Sequence, residues 1–182
     1  GLHQSFPAGE LPLLAQMSSG GPGSFIFPIA SMANIAQGAV TLAVFFLTKD
    51  SKMKGLAGAG GVSAIVGITE PAIFGVNLRL RWPFFIGMGV ASLGGAAVAL
   101  LDIHNQALGA AGFVGFVSIV PDDIVKYLIL EVIVFFAAFG AAFAYGTTRG
   151  KASLAGDDVE ADEAALEAEA MAEHAETVEL PA

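Results

Sequence analysis

Cysteine is absent from the 182 residues, which excludes disulfides, thiolate metal sites and a cysteine nucleophile within this chain. Charge is scarce as well. Asp, Glu, Lys and Arg make up 14% of the sequence, where a soluble domain carries about 25%, so an ordinary globular enzyme is a poor description. The 3 histidines, His3, His104 and His174, lie far apart and offer no metal-ligand spacing. The run GAGG at Gly58–Gly61 lacks the Lys and Ser/Thr of a phosphate-cradling loop, and no Ser/His/Asp frame is recognisable. Neither a metal nor any other cofactor is implied. A basic region followed by a short apolar core is also missing at the start, so the chain does not read as a signal peptide plus mature domain. Its opening in polar, Gly/Pro-containing sequence reads as a piece of a longer chain.

The net charge of −9 is unevenly spread. From Gly1 to Lys151, 8 Lys/Arg face 7 Asp/Glu, whereas Ala152 to Ala182 hold 10 acids and no Lys or Arg. A near-neutral body carries an acidic tail. Neither part has a basic patch, so nucleic acid is excluded as a partner.

Apolar residues fill the rest: 55% of the chain, with a mean hydropathy of +0.71. A bilayer span needs roughly 20 mainly apolar residues. Phe25–Thr48 and Pro83–Leu101 are uncharged runs of that kind, and Tyr127–Thr147 is a third with one acid, Glu131. Buried core helices are the alternative, but a globule of this size would struggle to hide three such segments. The fold class this implies is all-α and integral to the membrane, with about three transmembrane helices, re-entrant helical hairpins and an acidic cytoplasmic tail. Residues 1–150 form the membrane part. Residues 151–182 form a linker or tail whose like charges and weak apolar stripe predict disorder.

Gly55–Leu78 is long enough to span, yet Glu70 and Pro71 interrupt it. A carboxylate at the bilayer centre costs about 2.5–3.5 kcal/mol on insertion scales. Proline removes a donor and pushes the preceding residue out of helical geometry. The segment therefore reads as a re-entrant hairpin of two half-helices, broken at Thr69–Glu70. Pro71 suits the first turn of the second half-helix, whose positive end favours a carboxylate. Glu70 is the leading candidate for a ligand to substrate hydroxyls or to a proton; an interfacial glutamate is the plainer alternative. Ala107–Val120, Gly-rich and short, reads as a packed extramembrane loop or partial helix.

If the hairpin enters and leaves by one side, Lys49, Lys52, Lys54, Arg79, Arg81, Arg149 and Lys151 share that side and Lys126 lies opposite. Cytoplasmic loops carry the Lys/Arg excess, which makes that side and the tail cytoplasmic. Trp82 suits an interfacial anchor. His3 sits in a proline-interrupted apolar stretch, where an imidazole can bond a sugar hydroxyl or simply cap a surface. Asn34 and Gln37, one turn apart in the first span, either line a polar cavity or join neighbouring helices. Glu131 is read as reaching the interface.

The motifs also carry a family resemblance. GVSAIVGITEPAIFGVNLRLRWPF at Gly61–Phe84 resembles the membrane (IIC) domain of bacterial phosphoenolpyruvate-dependent phosphotransferase-system sugar permeases, glucose/sucrose superfamily. GLHQSFPAGELPLLAQ at the start and GSFIFPIASMANIAQGAV at Gly23–Val40 resemble the sucrose, trehalose and β-glucoside branch, with sucrose permeases nearest. The resemblance covers Gly1 to about Gly150 and only the second half of the family's domain. It implies that His3 and Glu70 bind the sugar, a disaccharide, with Thr69 completing the shell. It also implies IIB and IIA phosphocarrier partners, the IIB domain carrying the phosphocysteine of the sugar phosphotransferase reaction. The missing half would carry a homodimer interface in the lipid bilayer. Gly9 departs from the sucrose group, where a bulkier residue is usual, and would loosen the first hairpin. An ion-coupled secondary sugar transporter and a non-functional fragment are the competing readings.

Overall fold

The computed structural model of the chain describes residues 6–109, 111–150 and 154. His3, His174 and almost all of the acidic tail lie outside the described residues. The described residues are all-α, with no strand beyond isolated bridges. Helix α1 (Phe6–Ala15) leads through a 3-10 turn into α2 (Ile26–Leu47). Helix α3 (Ser51–Val66) is followed by the short α4 (Glu70–Ala72), a π-helical segment (Ile73–Asn77) and α5 (Leu78–Leu80). Helix α6 (Trp82–Leu100), a strap with a 3-10 turn at Phe113–Ser118, and α7 (Ile124–Thr148) complete the order.

Among the described residues, three helices are long and apolar enough to cross a membrane: Ile26–Leu47, Trp82–Leu100 and Pro121–Thr148. They coincide with the three expected spans. α2 is the central element, and α3, α6 and α7 all pack on it. Small residues let them approach. A Cβ on Gly94 of α6 would lie 2.8 Å from Val134 of α7 and 3.0 Å from Met32 of α2, and membrane helices characteristically pack through such positions. A Cβ on Gly9 would meet Ile26 Cδ1 at 3.9 Å, an ordinary contact.

The hairpin is re-entrant, as its broken sequence implies. Asp50 caps α3, its carboxylate accepting from the backbone N–H of Lys52 and Met53 at 3.0 and 2.9 Å. These two bonds hold the half-buried Asp50 carboxyl below the usual range. The 16 residues of α3 rise roughly 24 Å at 1.5 Å per residue. The chain then turns and descends through Glu70–Leu80. Its two ends meet again: Met53 and Leu80 share one apolar cluster with Val44, Val76 and Leu154, and Trp82 packs against it. Glycines of the GAGG run serve this packing, since a Cβ on Gly60 would sit 3.0 Å from the backbone of Ala72 across the hairpin. The α2 end, the hairpin ends and, through the Trp82–Tyr145 ring contact, the α7 end therefore lie together. Lys49, Lys52, Lys54, Arg79, Arg81 and Arg149 adjoin them. Lys126 is at the opposite end, bonded to Asp123 at the start of α7.

Candidate functional site

The hairpin turn is built by backbone geometry. Gly67 adopts φ 115° and donates to the Ala64 carbonyl, while Ile68 N–H reaches back to the Ser63 carbonyl, both at 3.0 Å. This is the glycine-terminated helix end in which a left-handed residue satisfies the last carbonyls. Ser63 Oγ donates to the Ile68 carbonyl at 2.9 Å and locks the turn. The chain re-enters a helix at Glu70, with Pro71 in its first turn where a missing N–H is harmless.

Glu70 is exposed at this break, and its carboxylate makes no hydrogen bond or ion pair among the described residues. Thr69 beside it is half-buried, and its carbonyl accepts from Ile73 N–H at 2.9 Å. The helix end thus presents an unengaged acceptor pair and an adjacent hydroxyl. Such a site can accept hydrogen bonds from vicinal hydroxyls of a polyol. Among the described residues no group of His, Asp and Glu is arranged to hold a metal. His3 cannot be placed relative to Glu70, since it lies outside the described residues.

Asn34 and Gln37 both face the hairpin. Asn34 Nδ2 donates to the Gly67 carbonyl at 3.5 Å, at the hairpin tip. Gln37 is buried, and its Oε1 and main-chain carbonyl accept from Asn77 Nδ2 at 2.8 and 3.2 Å. Thr41 Oγ1 bonds both the Gln37 carbonyl and Asn77 Oδ1, at 2.7 and 2.9 Å. Asn77 ends the π-helical segment, a geometry that recurs at functional sites. The network fastens the descending half of the hairpin to α2, which is the helix-joining alternative for Gln37.

Further buried polar groups lie outside this network. Glu10 on α1 is buried, and its Oε1 accepts from Asn105 Nδ2 at 2.6 Å while Oε2 and Asn105 Oδ1 have no partner among the described residues. Glu131, expected near the interface, is instead buried inside the bundle with neither oxygen hydrogen-bonded. Tyr127, one turn earlier, is fully buried. Single acids in apolar stretches were the available signal for both glutamates. Nothing local marked their partners.

The family model described as Phosphotransferase system, EIIC matches residues 1–92. The chain is 50% identical over 145 residues to the sucrose-specific EIIBCA component of Pediococcus pentosaceus, covering 80% of this chain and 22% of that protein. It is 56% identical over 120 residues to the sucrose-specific EIIBC component of Staphylococcus xylosus, covering 65% of this chain and 25% of that one. The trehalose-specific EIIBC component of Bacillus subtilis (strain 168) is 38% identical over 151 residues, covering 83% and 32%. The chain thus spans about a quarter to a third of the length of such relatives. No solved structure matches it. The ITEP break, the apolar helices around it and the family match over half the sequence agree: this chain belongs to the phosphotransferase system EIIC family.

Proposed function

We propose that the chain is the sugar-binding half of the membrane domain of a phosphotransferase-system permease, with sucrose as its first substrate and trehalose or a β-glucoside next. The observation that carries this reading is Glu70, an exposed carboxylate with no partner among the described residues, at the tip of a broken hairpin. The sucrose- and trehalose-specific names of the relatives support the substrate class. In this reading Glu70, His3 and Thr69 grip the hydroxyls of one sugar ring, with Asn34 at the border of the cavity. The membrane domain holds a primary hydroxyl towards a IIB domain, whose phosphocysteine gives up its phosphoryl group to that hydroxyl. The protein's contribution is position rather than bond-making. Phosphorylation leaves an anion that cannot return through the site.

The same reading assigns residues 1–150 to the membrane and 151–182 to a linker towards a IIA or IIB phosphocarrier. The Lys/Arg cluster at the hairpin's base faces the cytoplasm, and a homodimer forms through the part of the domain that precedes these residues. Protease added to inside-out vesicles should cut the tail, and protease outside intact cells should not; the opposite pattern would reverse the orientation. The functional test is made in the complete protein. Uptake should require phosphoenolpyruvate and yield sugar phosphate. Uptake of free sugar that collapses with a proton uncoupler would instead establish the ion-coupled transporter.

A further inference from the structure

The strap between α6 and α7 is pinned as a finger with a paired base. Asn105 exchanges backbone bonds with Ser24 at 2.7 and 3.0 Å, Gln106 N–H donates to Ser118, and Val120 N–H donates to His104. Its tip is Gly112, and both sides of that residue's backbone are held by side chains from different helices. Gly112 N–H donates to Ser31 Oγ of α2 at 2.9 Å, and the Gly112 carbonyl accepts from Tyr127 Oη of α7 at 3.0 Å. Ser31 and Tyr127 are both buried, and the Ser31 hydroxyl proton is committed to the Phe27 carbonyl at 2.9 Å. The lone pair it offers Gly112 is thus fixed in direction.

The tip bears directly on the hairpin turn. Gly112 adopts φ 103°, and a Cβ there would lie 2.6 Å from the Ile65 carbonyl oxygen and 3.1 Å from Gly67 N. A Cβ on Gly67 would collide with the Ala111 carbonyl oxygen. Strap and hairpin therefore touch backbone to backbone, with no flexible side chain between them to absorb a shift. Asn34 holds the Gly67 carbonyl from the third side. Glu70 follows three residues after Gly67.

We infer that Ser31 and Tyr127 are positioning residues for the sugar site: by clamping Gly112 they seat the strap tip against Gly67 and fix where the hairpin break holds Thr69 and Glu70. The inference rests on the reading of Glu70 as a sugar ligand. Neither Ser31 nor Tyr127 touches the sugar. Away from water, each peptide group must be satisfied within the protein, so the clamp is stiff and its loss is felt at the contact it braces.

The test uses the complete permease in membranes, with sucrose as the probe. Ser31→Ala and Tyr127→Phe each remove one hydrogen bond to Gly112, and each should raise the KM for sucrose about three- to tenfold while the maximal rate per folded protein is kept. The double variant should be less than additive, because both bonds serve one residue. Hydrogen–deuterium exchange of the 66–70 amides should quicken in both single variants, with the middle of α2 unchanged. A purely structural clamp would lower the amount of folded protein and leave KM alone, and that result would overturn the inference. Glu70→Gln is run in parallel. If it abolishes binding while the clamp variants keep normal KM, the clamp is wrong and the sugar site stands; if it binds sucrose normally, both fall.

Discussion

Glu70 and Glu131 are both single carboxylates inside apolar sequence, and the fold treats them in opposite ways. Glu70 lies at a broken helix end, exposed and unpaired among the described residues. Glu131 lies inside an unbroken 25-residue helix, buried, with neither oxygen bonded. The surroundings of the first are built in detail, with a left-handed glycine, a proline in the first turn and a brace from α2. The second sits on an ordinary helix turn, beside a Tyr127 hydroxyl that already donates to the Gly112 carbonyl. A carboxyl that the backbone has been arranged to present is a ligand candidate. One that an ordinary helix simply encloses is a cost in stability, because desolvating a polar group without a partner is unfavourable. The contrast separates the two roles better than depth in the membrane does.

The contrast is sharpened most by the substitution with the largest expected effect. In the complete protein, Glu70→Gln should weaken sucrose binding by roughly tenfold or more, since hydrogen bonds to a charged acceptor are worth about 1.5–3 kcal/mol. Insertion into the membrane should be unaffected. Titration of purified protein with sucrose reads this, and unchanged affinity would remove Glu70 from the site. His3→Ala, Glu70→Ala and the double change should then show a coupling energy of about 0.5–3 kcal/mol if the two side chains hold one ring. Strict additivity would separate them.

Stability comes next in size. Gln37→Leu or Asn77→Leu alone leaves a buried partner unsatisfied and should cost about 1–3 kcal/mol, seen as a lower midpoint in detergent thermal melts. Changing both together should cost less than the sum. Glu131→Leu should do the reverse of what Glu70→Gln does: sucrose affinity retained, melting midpoint unchanged or higher. Loss of transport in Glu131→Leu would break the comparison and make Glu131 a functional group.

The smallest effect belongs to Asp50. Its backbone bonds to Met53 and Lys52 hold the carboxyl below its ordinary value of 3.8, so its capping contribution is complete above that value and fades as the pH falls through the lowered one. Amide exchange of Ser51–Lys54 should quicken only in that acidic window, and Asp50→Ala should show the fast exchange at neutral pH as well. Equal rates in both proteins at neutral pH would mean that the cap is idle.

Sequence-level reading reached the elements whose causes are local. The three apolar runs became helices with ends within three residues of those expected, because length and hydropathy alone decide whether a segment can cross a bilayer. The hairpin break fell at Gly67–Thr69, immediately before Glu70, because a left-handed glycine ends α3 and Pro71, lacking a donor, suits the first turn of the helix that restarts at Glu70. Even the gathering of the basic residues at one end followed from the decision that the hairpin returns to its starting side. The burial of Glu131 was not legible in the sequence, because it depends on which face of α7 packs against α2 and α6.

What the sequence by itself determined is therefore the class of fold, the number of spans, the break that presents Glu70 and the family whose motif contains it. Only the tertiary structure decided what steadies that break. The Gln37–Asn77 network joins residues 40 apart, Ser31 meets Gly112 across 81, and Glu10 meets Asn105 across 95. Hydropathy and helix-breaking act within one turn of the chain and leave a trace in a short window of residues. A hydrogen bond between distant segments leaves none, because each partner alone is an ordinary Ser, Tyr or Asn until packing brings its mate within 3 Å.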